Sequence, residues 1–117
     1  MATTPTMNRM LIVEDDPGVR RLMTTHFRQN GFEVEYAMAA EEVAADEQYD
    51  VVLADVHLPG ESGVEMVRRI HRVQPNQQVI FVTGDSDSGV AREALQAGAA
   101  GYLLKPFEMF EIGRAHV

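Results

Sequence analysis

Residues 51–63 read VVLADVHLPGESG, four buried-type residues that end on a carboxylate and turn at once through Pro59-Gly60. An Asp at the tip of a core strand is costly to desolvate unless something pairs with it. Asp55 is therefore either a strand end reaching water or a group placed for chemistry. Three further apolar runs, MLIV (10–13), VIFV (79–82) and YLL (102–104), are equally short. Runs of this length rich in Val and Ile fit strands buried on both faces of a parallel sheet. FEVEY (32–36) alternates apolar and acidic residues, which predicts an edge strand with one wetter face.

Helical spacing fills the gaps between the runs. Val19, Leu22, Met23 and Phe27 share one helical face, and that segment stops near Asn30-Gly31. Val64, Val67 and Ile70 repeat the pattern before Pro75, and Val90, Ala94 and Ala97 repeat it before Gly98. A weaker helix is predicted over about 40–47 and another after Pro106. Strand and helix alternate throughout, which implies an α/β fold with a parallel sheet and helices on both faces.

Bulk properties bound the function. A chain of 117 residues holds one domain with a real core. Eighteen acidic residues against 10 Lys and Arg give a net charge of -8. This argues against direct binding of nucleic acid or an anionic membrane, which rests on basic residues. Cysteine is absent, so disulfides, zinc thiolates and thiol nucleophiles are excluded, which suits a cytoplasmic protein. No apolar run approaches a membrane span, and residues 1–8 read as a flexible tail, not a signal peptide. His26, His57, His71 and His116 show no metal-ligand spacing.

The chemistry lies in the residues at the carboxyl end of each strand. Glu14, Asp15 and Asp16 come after the first run, Asp55 ends the third strand, Thr83-Gly84 the fourth and Lys105-Pro106 the fifth. Ligands of open α/β sheets bind outside the carboxyl ends of the strands, so these groups converge on one rim. Clustered carboxylates repel, and a hard divalent cation relieves the repulsion through oxygen ligation. An Asp beside Mg2+ can attack a phosphoryl donor and form an aspartyl phosphate. The Thr83 hydroxyl and the Lys105 ammonium can hold the other phosphoryl oxygens. Asp16, directly before Pro17, is better placed to cap the first helix than to touch a metal.

LIVEDDPGVRRL, VVLADVHLPGESG, FVTGDSDSG and AAGYLLKPF, in this order, resemble the characteristic segments of the response-regulator receiver domain of two-component signalling. The resemblance runs from about residue 9 to 112, and the receiver domain is placed at 9–117. It implies a flavodoxin-like (βα)5 three-layer sandwich with a five-stranded parallel sheet of order 2-1-3-4-5. It also implies Mg2+, with Mn2+ as a substitute, held by Glu14, Asp15, Asp55 and the backbone carbonyl of His57. Asp55 matches the phosphorylated aspartate, Thr83 the switch hydroxyl, Lys105 the phosphate-contacting lysine and Tyr102 the aromatic that turns with the switch. His57 and Asp85 fall where side chains tune phosphoryl lifetime.

The implied partners are a histidine kinase or histidine phosphotransfer protein, and an output domain or target on the face made by the fourth helix, fifth strand and fifth helix. Phosphoryl transfer from phosphohistidine to Asp55 would switch that face, in a protein that turns over no external substrate. Gly101 stands where winged-helix transcription factors of this class usually carry Asp, which leaves at most a weak homodimer. EMFEIGRAHV is short for a fifth helix, so either the helix is abbreviated or the chain is cut from a longer regulator or kinase.

Other functions fit less well. A haloacid-dehalogenase-type phosphohydrolase needs its nucleophile in a D-x-D motif after the first strand, which Glu14-Asp15-Asp16 does not supply. A flavin carrier needs a phosphate loop of Ser, Thr and Gly amides there, where these acids would repel phosphate. The remaining alternative is an interaction module that works without phosphorylation, or a phosphate sink, on the same fold.

Overall fold

The structure is a computed structural model that describes residues 8–84 and 88–104. Asp85, Lys105, Pro106, most of the expected tail and the expected fifth helix lie outside the described residues. Five strands, β1 (Arg9–Val13), β2 (Glu33–Ala37), β3 (Val51–Asp55), β4 (Val79–Thr83) and β5 (Gly101–Leu104), alternate with helices α1 (Pro17–Gln29), α2 (Gly63–Val73) and α3 (Ser88–Gln96). All strand pairs are parallel and the order is β2-β1-β3-β4-β5, the flavodoxin-like arrangement.

Successive strand residues point to opposite faces, so the sheet has two cores. Leu11, Val13, Val52, Ala54, Val79 and Phe81 pack on one side with Val64, Met66, Val67 and Ile70 of α2 and Ala94 of α3. Met10, Ile12, Leu53 and Val82 pack on the other with Met23 and Phe27 of α1. The edge-on contact of Phe27 with Phe32, 5.7 Å between ring centres, closes the α1 side. Helices on both faces are the direct consequence of this division.

The ends of α1 are where the side chains dictate. The Asp16 carboxylate accepts the Val19 N–H at 3.0 Å and Pro17 opens the helix, so Asp16 is the N-cap. Asn30 caps the other end, and Gly31 takes the positive φ of +92° that lets the chain reverse into β2.

Three expectations need correction. Leu22, placed on the buried face of α1 by its spacing, is 50% exposed, because the buried strip is centred on Met23 and Phe27. Tyr36, the apolar end of the β2 alternation, is also exposed, and lies under the Arg20 guanidinium at 5.2 Å. The helix expected over 40–47 is only a 3-10 turn, Ala40–Glu42. Side chains of α2 and the residue after it take the backbone carbonyls there. Arg69 binds Ala40 O and Val43 O, and Gln74 binds Ala45 O and Glu47 O.

Phe27→Ala should cost about 3–5 kcal/mol of unfolding free energy, and Leu22→Ala less than about 1 kcal/mol, in urea denaturation. Equal losses would contradict the placement of the α1 core strip.

Candidate functional site

Register builds the rim. In the β1–β3 pairing Val13 stands opposite Ala54, so the next residues, Glu14 and Asp55, leave their strands side by side. Asp55 in turn pairs with Val82, and Thr83 one step further pairs with Leu104. Four neighbouring strands thus deliver Glu14, Asp55, Thr83 and the end of β5 to the same edge. Lys105 comes after Leu104 in sequence but is outside the described residues, as is Asp85.

Glu14, Asp15 and Asp55 each offer a carboxylate oxygen within 4.8 Å of the others. Glu14 is almost fully buried, Asp55 partly buried and Asp15 exposed. A buried carboxylate needs hydrogen bonds, and Glu14 accepts the Asp16 N–H at 3.2 Å. Its backbone is held from both sides: its N–H donates to Ala37 O at 3.1 Å, and Arg20 donates to its carbonyl at 3.0 Å. Asp55 accepts the His57 N–H at 2.8 Å, which turns the chain tightly after β3. Three like charges at this separation repel, and a hard divalent cation is the natural counter-ion. The donor set, all oxygen and mostly anionic, fits Mg2+ or Mn2+ and suits neither soft metals nor a flavin phosphate.

The glycines around Asp55 are steric requirements. A Cβ on Gly63, the first residue of α2, would lie 2.6 Å from Asp55 O and 2.7 Å from Phe81 Cε1. Gly60, at φ +76°, passes against the Glu41 carboxylate, which a Cβ would meet at 2.8 Å.

Thr83 is buried at the tip of β4, and Tyr102 is 39% exposed on the edge strand β5, beside Phe81 in register. Tyr102 is therefore on the surface and not a core residue. His57 is exposed in the turn after Asp55. Two further residues to which the sequence reading assigns no role bear on the rim. Arg20 supports Glu14 through its carbonyl, and Arg69 on α2 binds Glu61 in the turn after Asp55. Only the position of Arg69 at the margin of the buried α2 face hints at this from sequence.

Residues 10–115 match the family profile described as the response regulator receiver domain. The chain is 36% identical over 109 residues to Regulatory protein AtoC of Escherichia coli (strain K12), covering 91% of this chain and 24% of that protein. It thus spans about a quarter of the length of that relative. It is 31% identical over 107 residues to Sporulation initiation phosphotransferase F of Bacillus subtilis (strain 168), covering 89% of this chain and 86% of the relative. Its fold superposes on a CheY-like response regulator receiver domain protein from Methanospirillum hungatei JF-1 with a TM-score of 0.83 at 30% identity, covering 94% and 90% of the two chains.

Asp55→Asn keeps the acceptor for the His57 N–H but removes one of three repelling charges. With a chelator present it should raise unfolding stability by on the order of 1 kcal/mol in urea titration. A loss of stability would show that the cluster is not electrostatically strained.

Proposed function

The chain belongs to the response regulator receiver domain family, and we propose that Asp55 is its phosphoryl acceptor, with Mg2+ held by Glu14, Asp15, Asp55 and the His57 carbonyl. The observation that carries this reading is the carboxylate cluster on adjacent strand ends, with Thr83 one register step away. A relative named as a phosphotransferase, similar over most of its length, supports it.

In the proposed reaction an Asp55 carboxylate oxygen attacks the phosphorus of a phosphohistidine on a partner kinase or phosphotransfer protein. The P–O bond forms as the P–N bond breaks, and the electron pair leaves on the imidazole, which takes up a proton. Bound Mg2+, or Mn2+, supplies positive charge to the phosphoryl oxygens and relieves the repulsion among the carboxylates. The His57 N–H bond to Asp55 Oδ1 orients the carboxylate for the attack. Thr83 and Lys105 receive the remaining phosphoryl oxygens as hydrogen-bond and charge donors.

The new charge draws Thr83 toward the phosphoryl group and frees space toward which Tyr102 can turn. That biases the surface formed by α3, the fourth helix of a full (βα)5 count, with β5 and the segment after it. An output domain or target protein reads this face. The protein is a cytoplasmic switch that assists its own phosphorylation and dephosphorylation and turns over no external substrate. Among the described residues no helix is long and apolar enough to cross a membrane. By the family resemblance, the side chains of His57 and Asp85 tune how long the phosphoryl group lasts.

Incubation with a small acyl phosphate donor and Mg2+, and then intact-mass measurement, should show one added phosphoryl group. The adduct should be absent in Asp55→Asn and absent with chelator. No adduct on the native chain would favour a phosphorylation-independent interaction module. For the phosphorylated chain, Asp85→Asn should change the decay rate of the adduct; superimposable decay curves would remove Asp85 from this role.

A further inference from the structure

We propose that Arg69 is a positioning residue for the metal site: it clamps the turn after Asp55 so that the His57 carbonyl is held where a cation on the carboxylate cluster can use it. This rests on the proposal that the rim binds Mg2+, and extends it to a side chain of α2 that supplies no ligand there.

Four of the five guanidinium N–H donors of Arg69 have protein partners. Nε and Nη2 donate to the two Glu61 carboxylate oxygens at 3.0 and 2.8 Å, Nη1 to Val43 O at 2.7 Å, and Nη2 to Ala40 O at 2.9 Å. The pair is largely withdrawn from solvent, with side-chain exposures of 30% for Arg69 and 19% for Glu61. A forked, half-buried pair of this kind fixes direction as well as distance, unlike an exposed ion pair. The Glu61 hydrogen bond raises the Arg69 pKa, outweighing burial, so the clamp stays charged.

The clamp acts on a short segment. Residues 56–62 leave β3 at Asp55 and enter α2 at Gly63. Their first part is fixed by the His57 N–H bond to Asp55, at 2.8 Å, and by the Gly63 N–H bond to Val56 O, at 3.3 Å. Their last part is fixed by Glu61, whose carboxylate is in the Arg69 fork and whose N–H donates to Glu41 Oε1 at 2.6 Å. Gly60 between them is moulded to the Glu41 carboxylate. The anchor on the far side is the 3-10 turn Ala40–Glu42, which lacks the rigidity of a longer helix and is itself tied down by Arg69.

Mg2+ demands near-octahedral ligation at about 2.1 Å, and a neutral carbonyl contributes only if it is already in place. Outer residues that orient ligands are commonly worth about 10–100-fold in metal affinity. Charge alone predicts no weakening on loss of Arg69, because removing a cation from the chain cannot loosen its hold on Mg2+.

The test is Mg2+ affinity by calorimetry on the full chain, with unfolding free energy in chelator and amide exchange over residues 56–62 measured in parallel. Arg69→Ala is expected to weaken Mg2+ binding about tenfold and speed exchange in the turn. Arg69→Lys, which keeps the charge but not the fork, is expected to fail to restore affinity and provides the readout if the alanine variant does not fold. Glu61→Ala should weaken binding similarly, and the double variant should be no worse than either single one. Mg2+ affinity within twofold of the native chain in Arg69→Ala or Arg69→Lys, whatever the stability, would overturn the proposal. Absence of Mg2+ binding by the native chain would overturn the reading it rests on, a distinct result.

Discussion

The structure is organised around a repulsion. Three carboxylates, Glu14, Asp15 and Asp55, are brought within 4.8 Å by the parallel register of β1 and β3. Nothing in local backbone preference favours that arrangement. It persists because the two strands are central in the sheet and buried on both faces, so neither can slide without exposing Ile12, Leu53 and their neighbours. Hydrophobic packing thus holds in place a charge cluster that electrostatics alone would disperse, and leaves the site primed for a cation.

Around that cluster the chain commits specific interactions to geometry. Glu14 is fixed through its backbone by Ala37 and Arg20, and Asp55 by the His57 N–H. The glycines at 60 and 63 let a carboxylate and a core ring approach the turn more closely than any side chain would allow. Arg69 then joins that turn to the β2–β3 connection. Two irregular loops are therefore mechanically linked, and one of them carries the His57 carbonyl.

Much of this is legible in the sequence because it depends on patterns with a fixed period. The apolar runs mark β1, β3 and β4 within a residue, and an Asp before Pro17 gives the N-cap of α1. Acids and a threonine at the ends of those runs locate the rim, since strand ends in a parallel sheet face one way. The illegible part depends on partners distant in sequence. The segment 40–47 has acceptable helix composition, but Arg69 and Gln74 bind its carbonyls and hold it irregular. Leu22 and Tyr36 obey the expected spacing yet face solvent, because spacing defines a face without saying how wide the neighbouring layer is. Inside VRRIHR, only its position at the margin of the apolar face separates Arg69 from the exposed Arg68 and Arg72.

Family membership accounts for the fold, and within it Arg69 pairs with Glu61 at 2.8 Å in the turn after Asp55. On the proposed function, Asp55 accepts a phosphoryl group beside a bound divalent cation. Its most direct test is 19F NMR of the chain with beryllofluoride, a tetrahedral mimic of an acyl phosphate. Bound fluorine resonances that require both Mg2+ and the Asp55 carboxylate are expected. Resonances that persist in Asp55→Asn, or no bound signal at saturating Mg2+ and beryllofluoride, would contradict it.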